Sequence, residues 1–385
     1  MKRFLSIFAL AALSVAAFAQ GGNTGTGGCD GNYKSLSERL LNLEKKTDNF
    51  NFYLNYASSF QMVDENSDWS SAFRAKQLRL EIKGQFGEHL TYRIRHRMNR
   101  AQDGKSEDNF AKATDIMMLG WKFNDKFTFM GGKLCQFWGG YEFDENPMYI
   151  YEYSDMVNNM DNFLAGVALA YTPIPSQEFV INISNSYSGK LGDEYDLSRH
   201  TVEGKLLTPA KHPLAYIFNW NGSFGNGLIT TRWSVGTYTQ AENYRANLVF
   251  LGQSLNLPKL QWYFDYMGSF EGLDRLGIAT GELLTGYQTH VRYNSFVTKL
   301  RCDLGGDFKL MLKGMYETAG TKELGKFRTS LGYIGSLEYY PLKDQDLRFF
   351  IAYVGRNYRY ENFIGIGNYS TNRIELGFMF RIKAY

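Results

Sequence analysis

What this chain lacks most plainly is a long apolar run. Past its N-terminus it has no stretch of about 18 consecutive apolar residues, the length a helix needs to cross a bilayer. That excludes a helical membrane protein. Proline is scarce, at 7 of 385 residues, and no linker divides the two or three domains such a length would suggest in a soluble protein. The three cysteines, Cys29, Cys135 and Cys302, are odd in number and scattered, so they build neither a disulfide framework nor a metal site. The five histidines, His89, His96, His200, His212 and His290, stand apart, without a His-Glu-x-x-His or Gly-x-Ser-x-Gly pattern. No enzyme, metal or cofactor is expected from them. A formal net charge of +3 is too small to imply nucleic acid as a partner.

Aromatic residues and glycine are what the chain has in quantity: 27 Tyr, 29 Phe and 39 Gly. Mean hydropathy is nevertheless −0.35. Short alternating runs that are tyrosine-rich and polar on average fit a transmembrane β-barrel, in which only every second strand residue meets lipid. The stretch His89 to Arg100 shows the pattern best. In an extended strand Arg93, Arg95 and Arg97 share one face with Thr91 and Asn99, while Leu90, Tyr92, Ile94 and Met98 share the other. Before it, Leu78, Leu80, Ile82 and Phe86 alternate with Gln77, Arg79, Glu81, Lys83 and Gln85, and a Gly87-Glu88 turn joins the two strands. One charged and one apolar face on neighbouring strands describes the wall of a water-filled barrel whose outside meets hydrocarbon.

In chain order, residues 1–19 read as a secretory signal peptide, with Lys2-Arg3, an apolar core and Ala17-Phe18-Ala19 as a small-x-small cleavage site. Residues 20–34 are expected to form a flexible tether. Residues 35–47 predict a short coiled-coil helix, capped by Ser35 and Glu38, whose stripe Leu36, Leu40, Leu43 needs partners such as copies from other subunits. The barrel is expected over 50–385. Seventeen alternating segments can be counted, including one at 200–207, and readings from the two ends conflict by one strand between 187 and 228. A closed single-chain barrel normally has an even number, which makes sixteen antiparallel strands the expectation. Outer loops are expected at 63–71, 101–112, 269–286, 318–328 and 360–371. The last strand sets Ile374, Leu376, Phe378, Phe380 and Ile382 against Arg373, Glu375, Arg381 and Lys383.

Gly139 to Asp161 is too long and too aromatic for a solvated tip. With the Gly139-Gly140 pair at its entrance, this third outer loop is expected to fold into the barrel and narrow it. It carries Glu142, Asp144, Glu145, Glu152, Asp155 and Asp161 and no Lys or Arg. These acids are expected to face Arg93, Arg95 and Arg97, offsetting the preference that an arginine ladder would otherwise give to phosphate-like anions. Arg79, Lys83 and, through a bulge at Gly131-Gly132, Lys133 are further candidates for the basic lining.

The layout of signal peptide, periplasmic coiled coil, basic ladder and the Gly-Lys-x-x-x-x-x-Gly run at Gly132 to Gly139, ahead of an acidic and Tyr-rich loop, resembles the phosphate-selective porin O and P family. The resemblance implies a trimeric porin of the Gram-negative outer membrane with the ladder at Arg93, Arg95 and Arg97. The expected partners are outer-membrane lipid and small hydrophilic solutes and ions, phosphate among them, moving by passive diffusion. A barrel scaffold for adhesion or secretion and an outer-membrane hydrolase are the alternatives.

Overall fold

The structure is a computed structural model that describes residues 49–65, 68–100, 108–195, 206–283, 286–343 and 345–385. Sixteen strands follow one another: β1 (Asn51–Glu65), β2 (Asp68–Phe86), β3 (Leu90–Arg97), β4 (Thr114–Lys122), β5 (Phe127–Cys135), β6 (Phe163–Ile174), β7 (Gln177–Asn185), β8 (Leu214–Phe224), β9 (Ile229–Ala241), β10 (Tyr244–Leu257), β11 (Leu260–Leu273), β12 (Thr289–Gly305), β13 (Phe308–Thr321), β14 (Gly325–Tyr339), β15 (Asp346–Tyr360) and β16 (Tyr369–Lys383). Each pairs antiparallel with its sequence neighbours, and β1 closes on β16. Closure leaves no free edge, so backbone donors and acceptors are satisfied between strands where lipid could not satisfy them. Among the described residues no helix is long and apolar enough to cross a membrane; the crossing is made by strands.

Alternation decides which side chains face where. On β16 Leu376 is exposed on the outside while Glu375 is fully buried within, so the parity expected for this strand holds. The outward face is apolar in the middle of the wall and aromatic at its rims. Phe127 stacks on Tyr171 at 4.8 Å and Phe308 on Tyr339 at 4.9 Å near one rim, the one that carries the short turns and both ends of the barrel. At the other rim Tyr266 lies 5.0 Å from Phe296. Two such girdles are what the bilayer interfaces favour. Beyond β16 the chain stays in register, with the Phe52 N–H donating to the Tyr385 carbonyl at 3.0 Å and the Tyr385 ring 5.7 Å from Phe50.

Several boundaries differ from the sequence expectation. Residues 200–205 of the extra segment at 200–207 lie outside the described residues, and 206–207 are not in a strand. β7 pairs directly with β8, from Gln177 opposite Gly222 to Asn185 opposite Leu214, so no strand stands between them and the one-strand conflict disappears. Most of the described residues in the loops expected at 63–71 and 318–328 are instead strand: β1 and β2 pair up to Glu65 opposite Asp68, and β13 and β14 up to Thr321 opposite Gly325, with 322–324 as the turn between them. Polar side chains on both faces above the apolar band look like loop in a sequence, yet water solvates an extended hairpin there equally well. The third strand is shorter than its pattern, ending at Arg97 and leaving Met98 half-exposed outside it. The signal peptide, tether and helix stripe Leu36, Leu40, Leu43 lie outside the described residues.

Candidate functional site

The connection 136–162 between β5 and β6 runs inside the barrel. It turns at Gly139 (φ 68°) and Gly140 (φ 75°), both left-handed conformations that favour glycine. A Cβ on Gly139 would stand 2.8 Å from Asn219 Nδ2, so Gly139 is required by close approach as well as by the turn. Asp265 on β11 then accepts from the backbone N–H groups of Tyr141 at 2.8 Å and Glu142 at 2.7 Å, satisfying two orphan donors of the short helix Tyr141–Asp144. A second short helix, Asp155–Asn159, is capped by Ser154. Along the loop Trp138, Phe143, Met148, Tyr149, Tyr151 and Met156 pack with Phe250, Met267, Val297, Met311 and Phe350 of the wall in one apolar cluster. The loop's aromatic content is therefore its contact with the inner wall.

The loop's acids are held by that same side of the barrel. Glu142, fully buried, accepts from Lys313 Nζ at 2.5 Å and from the Ser154 N–H at 2.7 Å. Asp144 pairs with Arg232 and Glu145 with Lys299. Glu152 bridges Arg356 and Arg373, each at 2.8 Å, and Asp155 pairs with Arg328 at 2.5 Å and with Arg356. Cations of the same wall also reach the loop backbone. Arg348 donates to the Met148 carbonyl at 2.6 Å, Lys313 to Glu152 at 2.7 Å and Arg356 to Tyr153 at 2.7 Å. Burial pushes the Asp144 carboxyl above its ordinary range, with Arg232 opposing. Asp161 is raised in the same way against Arg275 and Lys133.

This corrects the expectation that the acids face the arginine ladder. Arg93, Arg95 and Arg97 on β3 take their counter-charges from neighbouring strands: Arg93 Nη2 lies 2.8 Å from Glu81, and Asp115 on β4 receives Arg97 at 2.7 Å, Arg95 at 3.3 Å and Arg79 at 3.3 Å. The reason is register. Arg93 stands opposite Lys83 and Arg95 opposite Glu81 across β2–β3, while a bulge at Arg95/His96 turns Asp115 inward among three guanidiniums. Arg97 keeps 27% of its side chain exposed, whereas Arg79, Arg93 and Arg95 are buried. Arg381 also reaches Glu81, at 3.5 Å.

Of the other basic candidates, Lys83 lies beside this cluster with Nζ 5.4 Å from the Tyr53 ring. Lys133 is buried away from it, its Nζ 5.7 Å from the Phe110 ring, and Gly132 (φ 121°) distorts β5 without a register shift. The basic cradle of Arg232, Lys299, Lys313, Arg328, Arg348, Arg356 and Arg373 escaped the sequence reading, as did Asp115. The inward parity of β12 to β16 carried the signal for most of the cradle; nothing local marked Asp115, which the bulge turns. Among the described residues no group of His, Cys, Asp or Glu is arranged to hold a metal.

Comparison with known proteins gives the geometry its context. No curated protein sequence matches the chain. Similar solved structures include the outer membrane channel DcaP of Acinetobacter baumannii, with a TM-score of 0.61 at 10% identity over 88% of this chain and 98% of that one. An anion-selective porin from Comamonas acidovorans gives 0.56 at 8% identity over 86% and 99%. The trimer form of OmpT of Vibrio cholerae gives 0.55 at 9% over 86% and 98%. At such identities these likenesses show the fold. The profile of the phosphate-selective porin O and P family matches residues 50–382, almost the whole barrel. The chain therefore belongs to the phosphate-selective porin O and P family and is a porin of the Gram-negative outer membrane, a channel for the passive diffusion of small solutes.

Proposed function

We propose that this porin favours anions in general, and that its narrow passage runs between the loop 136–162 and the arginine-bearing wall of β2 to β4, beside the contact in which Lys76 of β2 donates to the Tyr151 carbonyl at 3.2 Å. The observation carrying the reading is the division of charge. The five acids Glu142, Asp144, Glu145, Glu152 and Asp155 are matched by cations of β9 and β12 to β16. On the opposite side Arg79, Arg93, Arg95 and Arg97 have Glu81 and Asp115 as their paired acids among the described residues, and Arg381 draws on Glu81 as well, so the four arginines keep an excess of at least two positive charges (4 − 2). Two charges at about 6 Å act on a passing anion by roughly 1.4 kcal/mol in water, about tenfold in local concentration. Rows of fixed charge in a narrow lumen select ions in this way.

A strict phosphate site is not part of the proposal. Arg93 already engages Glu81 through both Nε at 2.9 Å and Nη2 at 2.8 Å, and phosphate would have to displace a carboxylate from that fork. Assembly as a homotrimer, export by the signal peptide at 1–19 and the absence of covalent chemistry complete the reading, supported by the family membership. The test replaces Arg93, Arg95 and Arg97 by Gln and measures reversal potential across a salt gradient in a planar bilayer. The variant should lose most of its anion preference. An unaltered reversal potential would take these arginines out of the conduction path, and block of wild-type chloride current by micromolar phosphate would restore strict phosphate selectivity.

A further inference from the structure

The outward faces of β10 to β14 change character in registered rows. Leu251, Tyr266, Phe296, Tyr316 and Leu331 are mutually opposed and form the upper edge of the apolar band. Two residues further out comes Val249, Gly268, Asn294 and Thr318, where Asn294 accepts from the Tyr266 hydroxyl at 3.0 Å and donates to Thr318 at 3.2 Å. The next row is Asn247, Phe270, Arg292, Gly320 and Lys326. Here a groove of about 670 Å³ opens on the outside of the barrel, lined also by Arg245, His290 and Lys322.

Its charge is one-sided. Arg245, Arg292 and Lys322 form no ion pair among the described residues, and the Arg292 guanidinium lies over the Phe270 ring at 4.9 Å. Lys326 is the exception, paired with Glu361 at 3.1 Å. The single acid in the lining, Glu271, turns inward and accepts from Ser269 at 2.6 Å and the Arg275 N–H at 2.7 Å. Gly272 and Gly320 leave part of the floor without side chains.

We propose that this groove binds the phosphate of an outer-leaflet glycolipid headgroup. Two rows are about 13 Å along a strand, or roughly 9 Å along the membrane normal at a tilt of about 45°, which sets the cations at headgroup height above the aromatic row. Acyl chains can lie along Leu251, Phe296 and Tyr316 while the phosphate meets Arg245, Arg292 and Lys322. A soluble anion would have no use for that continuity with the apolar band. The site is separate from the lumen and does not rest on the channel's ion preference.

The test uses the purified, folded full-length barrel and three probes: phosphorylated lipid A, its dephosphorylated form and inorganic phosphate. Binding is read by native mass spectrometry, beside the variant R245Q/R292Q/K322Q. Loss of three cations should weaken binding of the phosphorylated lipid on the order of a hundredfold. Dephosphorylated lipid should bind the wild type as weakly as phosphorylated lipid binds the variant, and millimolar inorganic phosphate should not compete. Retained barrel migration on unboiled gels and unchanged conductance show the variant intact; for a variant that fails this check, R292Q alone must show a reduced share of the effect. Equal binding of phosphorylated lipid to wild type and variant overturns the proposal. So does effective competition by inorganic phosphate, which would make the groove a free-ion site.

Discussion

The pair Glu142–Lys313 gives the sharpest test of how the inner loop is held. The Lys313 side chain is 2% exposed and that of Glu142 0%, with 2.5 Å between ammonium and carboxylate. Replacing Glu142 by Gln keeps the shape but leaves a buried ammonium without its counter-charge, a loss of about 3–5 kcal/mol for a pair broken on one side. The remaining anchors keep the loop mostly seated, so the loss falls on its detachment equilibrium. At 3 kcal/mol the detached fraction rises on the order of 150-fold. Single-channel records should then show bursts of higher conductance absent from wild type, and amide exchange across 136–162 should speed up. Replacing Lys313 by Met in the same chain removes the stranded charge and should restore most of the wild-type behaviour. A coupling below about 0.5 kcal/mol in that double-mutant cycle would refute the view that charge pairing fixes the loop.

Two further outcomes are expected, one from the ladder's geometry and one from the leucine stripe. Asp115→Asn strips the shared counter-ion from Arg79, Arg95 and Arg97; at about 6 Å from a passing ion one charge is worth roughly 0.7 kcal/mol in water, so the anion-to-cation permeability ratio should rise about threefold. No change in reversal potential for a folded Asp115→Asn barrel would mean that permeating ions do not pass this cluster. Cross-linking of detergent-extracted protein should give trimers that Leu40→Asp weakens, and a monomeric wild type at micromolar concentration would remove both the trimer and the role of the leucine stripe.

The sequence by itself determined the barrel, its inward and outward faces and the inward fold of the third long connection. These depend on local rules: a period of two along a strand, glycine where the chain must turn left-handed, and the cost of leaving Tyr141, Phe143, Tyr149, Tyr151 and Tyr153 in water. Its count of sixteen strands held; the surplus segment at 200–207 lies mostly outside the described residues, and β7 pairs directly with β8. What only the tertiary structure decided is which charge meets which. Partner choice across a closed barrel depends on register and bulges, and a slip or bulge of one residue changes the face a side chain occupies. The bulge at Arg95/His96 brings Asp115 among the arginines, and the seat of Tyr141 and Glu142 on Asp265 presses the loop toward β9 and β12 to β16. The acids expected to quench the ladder were thus used to fasten the loop, because side chains anchored 88 or more residues apart in the chain meet only once the sheet has closed.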